Sequence, residues 1–291
     1  MKIYDTHSDV FSNLYDRYIK GERDVFEKYH LEDLTKGEVV GGIWVVYSDK
    51  MFDIVDAYQI ALKEFENFKN NYDVIYGLEG LRNVPDLETF DKLYQMGIRH
   101  AGLTWNEENH LATGVRGSAD RGLTDLGKEF LNYMNSHNMI TDVSHLNIKS
   151  FYDVIDYKPD ILIASHSNAF ELANHPRNLN DDQIKKLHEA GGYVGIVAAR
   201  NFVSHTAEKQ NVEGYVDQMI YMIEHLDIDH VMIGIDMMSY LTDFNNANLD
   251  DLQTHSDSQN IIKELKRRMF TEEDIRKIAY ENFLKIKNLV K

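Results

Sequence analysis

The sequence predicts a (β/α)8 barrel of the TIM type. Three observations predict it. Short apolar runs alternate with stretches of helical spacing eight times along the chain. The alternation fills 291 residues, a length at which such barrels form one domain, here expected over residues 1–291. Polar side chains able to do chemistry fall just after the apolar runs, at the strand ends where barrels carry their sites. A doubly wound open sheet is the alternative that periodicity leaves open. The chain has no GxGxxG motif and no P-loop.

The apolar runs come first. They lie at residues 2–4, 39–47, 74–78, 97–104, 139–143, 161–164, 193–198 and 230–235, each short enough for one strand of a buried parallel sheet. Helical spacing fills the gaps. Over residues 53–68, Val55, Tyr58, Ala61, Leu62 and Phe65 form one stripe. Thr124 is placed to cap a helix in which Leu126, Phe130 and Met134 share a face. Asn180 with Gln183 reads as a capping box ahead of Ile184 and Leu187. Thr271 with the acids after it opens the last helix in the same way. The three prolines, Pro85, Pro159 and Pro176, all fall between these elements. The longest irregular piece is residues 239–258, rich in Asn and Asp, after the eighth run.

Composition bounds the chemistry. Apolar residues make up 43% of the chain, enough for a large core. With 31 basic and 48 acidic residues the formal charge is −17, which argues against nucleic-acid binding through phosphates. There is no cysteine, so disulfides and thiolate metal sites are excluded, and any metal must be held by His and carboxylates. No run of about 18 apolar residues exists to span a membrane. No signal segment is visible at the start, so a cytoplasmic protein is expected.

Candidate site residues fall at the strand ends. The stretch Asp5-Thr6-His7-Ser8-Asp9 follows the first strand, and His7 and Asp9 are two residues apart. On an extended chain that spacing puts an imidazole and a carboxylate on one side, as two ligands for one divalent metal. Glu79 follows the third strand, and Trp105 and Asn106 follow the fourth. His145 follows the fifth, His166 the sixth and Asp236 the eighth. A charged group at such a place needs a partner. His30, His137, His175, His188, His225 and His255 are expected in solvated helices or loops, and His100 and His230 packed beside strands. His110, in the loop after the fourth strand, is in reach of the same end.

In this order the motifs DTHSD (residues 5–9), GLEG (77–80), GIRHAGLTWN (97–106), LTDLG (123–127), MITDVSH (139–145), SHSNA (165–169), Arg177-Asn178 and GID (234–236) resemble the membrane (renal) dipeptidase family, in a soluble bacterial-type form. The resemblance runs the length of the chain. It implies a metal-dependent hydrolase barrel with two zinc ions; the absence of a nucleic-acid or membrane partner is expected from the charge and from the lack of a long apolar run. Carried over residue by residue, His7 and Asp9 would bind one zinc, His145 and His166 the other, and Glu79 both. Asp236 matches the acid beside the bridging water, and Arg177 matches the residue that holds the free carboxylate of a dipeptide. The implied activity is hydrolysis of the peptide bond of dipeptides by a metal-bridging hydroxide, with Asp236 and Glu79 as catalytic groups. Family precedent implies a homodimer.

Two positions depart from the family. Trp105 stands where mammalian members have a histidine that helps hold the substrate's carbonyl region, and an indole can donate one hydrogen bond but cannot accept a proton. Met238 and Ser239 stand where the family often has Asp and Gly. The alternatives are a related two-metal barrel hydrolase acting on another amide or ester bond, and an inactive member that keeps the fold for binding. His-x-Asp at the first strand, rather than His-x-His, favours the dipeptidase branch.

Overall fold

A computed structural model describes residues 1–241 and 246–291. Eight parallel strands lie side by side in chain order: β1 (Ile3–Ser8), β2 (Val39–Tyr47), β3 (Asp73–Glu79), β4 (Ile98–Gly102), β5 (Ile140–Asp142), β6 (Leu162–Ala164), β7 (Tyr193–Ile196) and β8 (Val231–Ile233). All eight apolar runs therefore form strands. Sequential parallel order with a helix in each crossover is the topology of the barrel rather than of the open doubly wound sheet, whose strand order reverses at a switch point.

Between β8 and β1 the ring is joined by individual contacts. The Asp236 amide donates to the His7 carbonyl at 3.2 Å, and the Ile235 amide donates to Asp5 Oδ1 at 2.8 Å. Thr6 Oγ1 lies 2.7 Å from the Ser165 carbonyl and 3.0 Å from that of Ile233, its single proton shared between them. Gly195 and Gly234 make room for this: a Cβ on either would sit about 2 Å from the Ser165 carbonyl oxygen (2.0 and 2.1 Å). Neither glycine can be replaced without moving backbone.

The principal crossover helices are α1 (Val10–Ile19), α2 (Ile54–Phe65), α3 (Leu87–Gln95), α4 (Asp125–Ser136), α5 (Ile148–Tyr157), α6 (Asp181–Glu189), α7 (Val212–Leu226) and α8 (Gln259–Arg267). Capping sets their starts. Asp53, Thr124 and Asn180 accept from backbone amides at the first turns of α2, α4 and α6, each worth about 1 kcal/mol. α2 stops at Phe65, short of the expected residue 68, because residues 66–70 turn away. Its buried face is Ile54, Ala57, Tyr58, Ala61 and Phe65, so Val55 and Leu62 of the expected stripe sit at its half-buried edges.

Two apolar layers result. The outer one packs helices on strands, for example Phe11, Phe26, Trp44 and Phe65 with ring centroids 5.0–5.9 Å apart. The inner one fills the barrel with Tyr4, Ile43, Val45, Ile75, Ile140, Ile161, Ile163 and Met232. The last two helices, α9 (Glu272–Arg276) and α10 (Asn282–Lys287), flank a π-turn. α10 closes the lower end of the barrel, where Phe283 stacks on Tyr4 at 4.8 Å. With that end plugged, the open mouth lies at the carboxyl ends of the strands.

The long segment after β8 partly orders itself. Thr254 and Asp257 form a capping box, and Asn248 accepts from the Met238 amide at 2.9 Å. Residues 242–245 of that segment lie outside the described residues. Among the described residues no helix is long and apolar enough to cross a membrane.

Candidate metal centre

The mouth of the barrel gathers the candidates. β1 does not deliver His7 by simple alternation. Its pairing with β2 shifts between Asp5 and Ser8, where three steps on β1 match two on β2. Such a bulge re-aims the side chains that follow it. His7 thus lies inside the strand rather than after it, and Asp9 is the residue ahead of α1, no longer extended (φ −79°, ψ 24°). The two meet Glu79, at the end of β3, in one group whose ligand atoms lie within 4.8 Å of one another. A second group of the same kind joins Glu79 to His145 and His166. Glu79 belongs to both.

Two of these positions hold backbone that L-residues rarely adopt. His145 (φ 70°) and Asp236 (φ 55°) are left-handed. This conformation turns each side chain from the strand end into the mouth at a cost of about 1–3 kcal/mol each. Neighbouring segments hold them there. The Val115 amide donates to the His145 carbonyl at 2.9 Å, and Asn248 Nδ2 donates to that of Asp236 at 3.3 Å.

Around Glu79 Oε1, His145 Nε2 lies at 2.7 Å, His166 Nε2 at 3.3 Å and His7 Nε2 at 3.5 Å. His7, Asp9, Glu79, His145 and His166 are all buried. The far nitrogens decide which face of each ring is bare. His145 Nδ1 lies 2.9 Å from Asn106 Oδ1, which can only accept, so the ring proton sits there. Ser165 Oγ donates to Asp142 and lies 2.7 Å from His166 Nδ1 and 3.3 Å from His7 Nδ1. One hydroxyl proton and two lone pairs are thereby all used, and both histidines donate from Nδ1. All three rings turn Nε2 inward, and on His145 and His166, whose charged forms burial disfavours, that nitrogen is bare. His145 Nε2 and His166 Nε2 are 2.8 Å apart, with no proton for either to share, and His7 Nε2 is buried without a hydrogen-bond partner. Bare nitrogens facing one another beside carboxylates fit divalent cations.

Charge points the same way. Burial pushes the Asp9 carboxyl well above its usual range, reinforced by Glu79, with His7 acting against it. Burial opposes a charge on His7, yet Glu79, Asp236 and Asp9 raise it to about 10. Burial likewise lifts half-buried Asp236 to about 7, with His7 and Arg177 pulling down and Glu79 pushing up. Glu79 stays well below its usual range despite burial, because His7 and His145 face it. His145 is lowered to about 4 by burial and then by Arg177. Three carboxyl groups, Asp9, Glu79 and Asp236, thus act on one another at this point, and Glu79 raises both of the others. A third group of possible ligands, His7, Asp142 and His166, is of another kind. Asp142 is saturated by the Ser144 and Ser165 amides, Ser165 Oγ and His100 Nε2, and serves as the base on which Ser165 stands.

A cleft of about 280 Å³ opens over the centre, lined by Asp9, Tyr47, Glu79, Trp105, Asn106, Arg116, His145, Arg177, Arg200, Asp236 and Met238. Arg177 is buried; it donates from Nη2 to the His166 carbonyl at 3.3 Å, while Nε has no partner. Trp105 stands between Tyr47 and His145, with ring centroids at 6.0 and 6.1 Å. Met238 lines the cleft, whereas Ser239 is exposed outside it.

Some expectations fail. His110 does not join the site, since its Nε2 is bonded to the Val84 carbonyl at 2.9 Å. His30 and His255, expected in solvent, are buried. His255 Nε2 meets Asp5 Oδ2 at 3.1 Å and His30 Nε2 meets Asn13 Oδ1 at 3.0 Å. Sequence reading also passed over Ser165, Asp142, Tyr47, Arg116 and Arg200. For Ser165 a signal existed, its place directly before His166 at a strand end.

Residues 48–291 match the model of the membrane dipeptidase family, peptidase family M19; the segment carrying His7 and Asp9 precedes the match. The chain is 30% identical over 211 residues to an uncharacterized protein in the pqqA 5′ region of Klebsiella pneumoniae, covering 69% of this chain and 74% of that one. It is 29% identical over 238 residues to an uncharacterized dipeptidase of Schizosaccharomyces pombe, covering 80% and 56%. The matches thus span between about half and three quarters of the lengths of the curated relatives (49–74%). Among solved structures, a metallo peptidase from Rhodobacter sphaeroides, liganded with a phosphinate mimic of the dipeptide L-Ala-D-Ala, superposes with a TM-score of 0.85. It is 21% identical, with 100% and 99% of the two chains covered.

Proposed function

The chain belongs to the membrane dipeptidase family, peptidase family M19, and from that premise we propose that it is a zinc-dependent dipeptidase with a two-metal centre. The observation that carries the reading is the pair of ligand groups that share Glu79. In this reading His7 and Asp9 would hold one ion, His145 and His166 the other, and Glu79 would serve both. When bound, two such ions polarise a carbonyl and acidify water enough for it to ionise near neutral pH.

The chain's own residues do the rest. Asp236, lifted to about 7 by burial, is matched to taking a proton from the attacking water and giving it to the leaving amine. Arg177 lines the same cleft as Asp236 with an unpartnered, buried Nε, and its planar fork suits the two oxygens of a free carboxylate. A single carboxylate clamp in a cleft of about 280 Å³ favours a dipeptide over a longer chain. Trp105 and Tyr47 form the wall on the other side, and Trp105 can offer only its indole N–H to the substrate. The relative described as a dipeptidase and the structural neighbour bound to a dipeptide mimic support this substrate class.

The test is hydrolysis of a panel of L-L and L-D dipeptides by zinc-loaded protein beside a chelated control. Zinc-dependent release of free amino acids is expected. No cleavage anywhere in the panel overturns the substrate assignment.

A further inference from the structure

At the opposite end of the barrel, His188, Asp227 and His230 form a fourth group of possible ligands, unconnected to the mouth. Their ligand atoms lie within 4.8 Å of one another. His188 is in the last turn of α6, and Asp227 and His230 lie in the link from α7 to β8. The three therefore come together just before β7 and β8 begin, on the side away from the cleft.

Each member is set up as a ligand. His230 Nδ1 donates to the Gly192 carbonyl at 2.8 Å, which leaves Nε2 with a free lone pair. This is the support a metal-bound histidine usually has, its other ring nitrogen tied to a carbonyl. The ring is further fixed against Tyr193 at 4.8 Å and faces His188 at 5.1 Å. His188 Nδ1 is shielded from solvent and has no hydrogen-bond partner. Asp227 is exposed, so water can complete the coordination from outside. Its backbone is unusual. Asp227 has φ 72° and ψ 164°, a conformation open to almost nothing but glycine and costing an L-residue about 1–3 kcal/mol. The carboxylate caps the turn that follows by accepting from the Asp229 amide at 2.8 Å through Oδ1, and it lies beside two half-buried imidazoles.

We propose that His188, Asp227 and His230 bind a divalent cation of the zinc type, clamping the α6–β7 and α7–β8 corners together. Two imidazoles and one carboxylate, with a water in the fourth place, form a donor set that suits zinc. The site is structural, not catalytic, because it lies at the plugged end of the barrel.

The experiment compares bound zinc in the full chain and in two variants, after saturation with zinc and removal of the free ion. His230→Gln and Asp227→Gly should each hold one zinc fewer per chain than the parent, and their dipeptidase activity should be unchanged. Zinc added to protein whose central site is already filled should raise the melting temperature of the parent and not of the variants. Asp227→Gly guards against a folding defect, since glycine relieves the backbone there, and its zinc-free form should be at least as stable as the parent. Equal zinc content and equal zinc-dependent shifts in the parent and both variants overturn the proposal. The readout is a difference at one end of the molecule, so it stands whether the central site takes two ions, one or none.

Discussion

Replacing Ser165 by alanine tests how the central histidines are aimed. Ser165 Oγ accepts from Nδ1 of His166 (2.7 Å) and of His7 (3.3 Å) while donating to Asp142. Its loss orphans two buried ring N–H groups, each costing about 1–3 kcal/mol if nothing moves. The rings have a cheaper course, which is to carry the proton on Nε2 instead. Those atoms face Glu79 Oε1 at 3.3 and 3.5 Å, so the proton would occupy the place of an incoming cation. Every binding event would then have to displace it. Loss of such outer support typically costs about 10–100-fold in metal affinity, equivalent to about 1.4–2.7 kcal/mol. The assay is competition for zinc between the protein and a chromophoric chelator, with thermal unfolding of the chelated protein run alongside. Ser165→Ala should weaken zinc binding by one to two decades, about 10–100-fold. A variant that loses stability but binds zinc as tightly as the parent would refute the reasoning and leave Ser165 a packing residue.

Removing Arg177 as Arg177→Ala should raise KM for dipeptides about 10–100-fold, the worth of one charge-assisted contact of about 1.5–3 kcal/mol, with a smaller effect on kcat; an unaffected KM removes it from carboxylate recognition. Glu79→Ala should lose at least one of two bound ions by elemental analysis, and unchanged metal content would end its shared role. His30 gives a pH prediction. Burial, and next the neighbouring His255, lower it to about 3, against about 6.5 in an unfolded chain. The unfolded state therefore binds the proton first, and the stabilisation, full above pH 6.5, is lost as pH falls toward 3. At pH 5 the loss is about 2 kcal/mol relative to pH 8. Chemical denaturation at the two pH values should show this loss shrink in His30→Leu, and an equal loss in both proteins would refute it.

The architecture was legible because each strand announced itself as a compact apolar run. A parallel strand buried on both faces leaves no room for polar alternation, and β2 and β6, for example, are almost wholly buried. Chain order did the rest, since short crossovers leave neighbours in sequence as neighbours in the sheet. The centre was legible for a related reason. Glu79, His145, His166 and Asp236 each follow an apolar run, and a barrel brings the ends of its strands to one mouth whatever the spacing in sequence. How the side chains point was not legible. His7 and Asp9 share a target through a bulge and a helix start, not through strand alternation. Left-handed backbone at His145 and Asp236 is set by tertiary contacts that no local pattern encodes. His30 and His255 were misplaced because burial of a single polar residue depends on one distant partner, Asn13 and Asp5 respectively.

Asp5 shows why that misreading matters for the centre. Within DTHSD it looked like one more polar residue beside the ligands. In the structure it is buried, and its carboxylate accepts from the Ile235 amide at 2.8 Å and the His7 amide at 3.3 Å, while meeting His255 Nε2 at 3.1 Å. One carboxylate thus ties the backbone of His7 to the stretch that leads from β8 to Asp236, and both to the segment beyond it. That segment returns the link from its other end, where Tyr240 OH meets Ser8 Oγ at 3.3 Å and the Tyr240 carbonyl accepts from Asn13 at 3.0 Å. The seam between β8 and β1, where no strand ladder runs, is therefore held by the same polar groups that fix His7 and Asp236 relative to each other. The proposed ligand His7 and the proposed proton carrier Asp236 meet at this seam, so Asp5 and His255 bear on the alignment of that chemistry as much as on the closure of the fold.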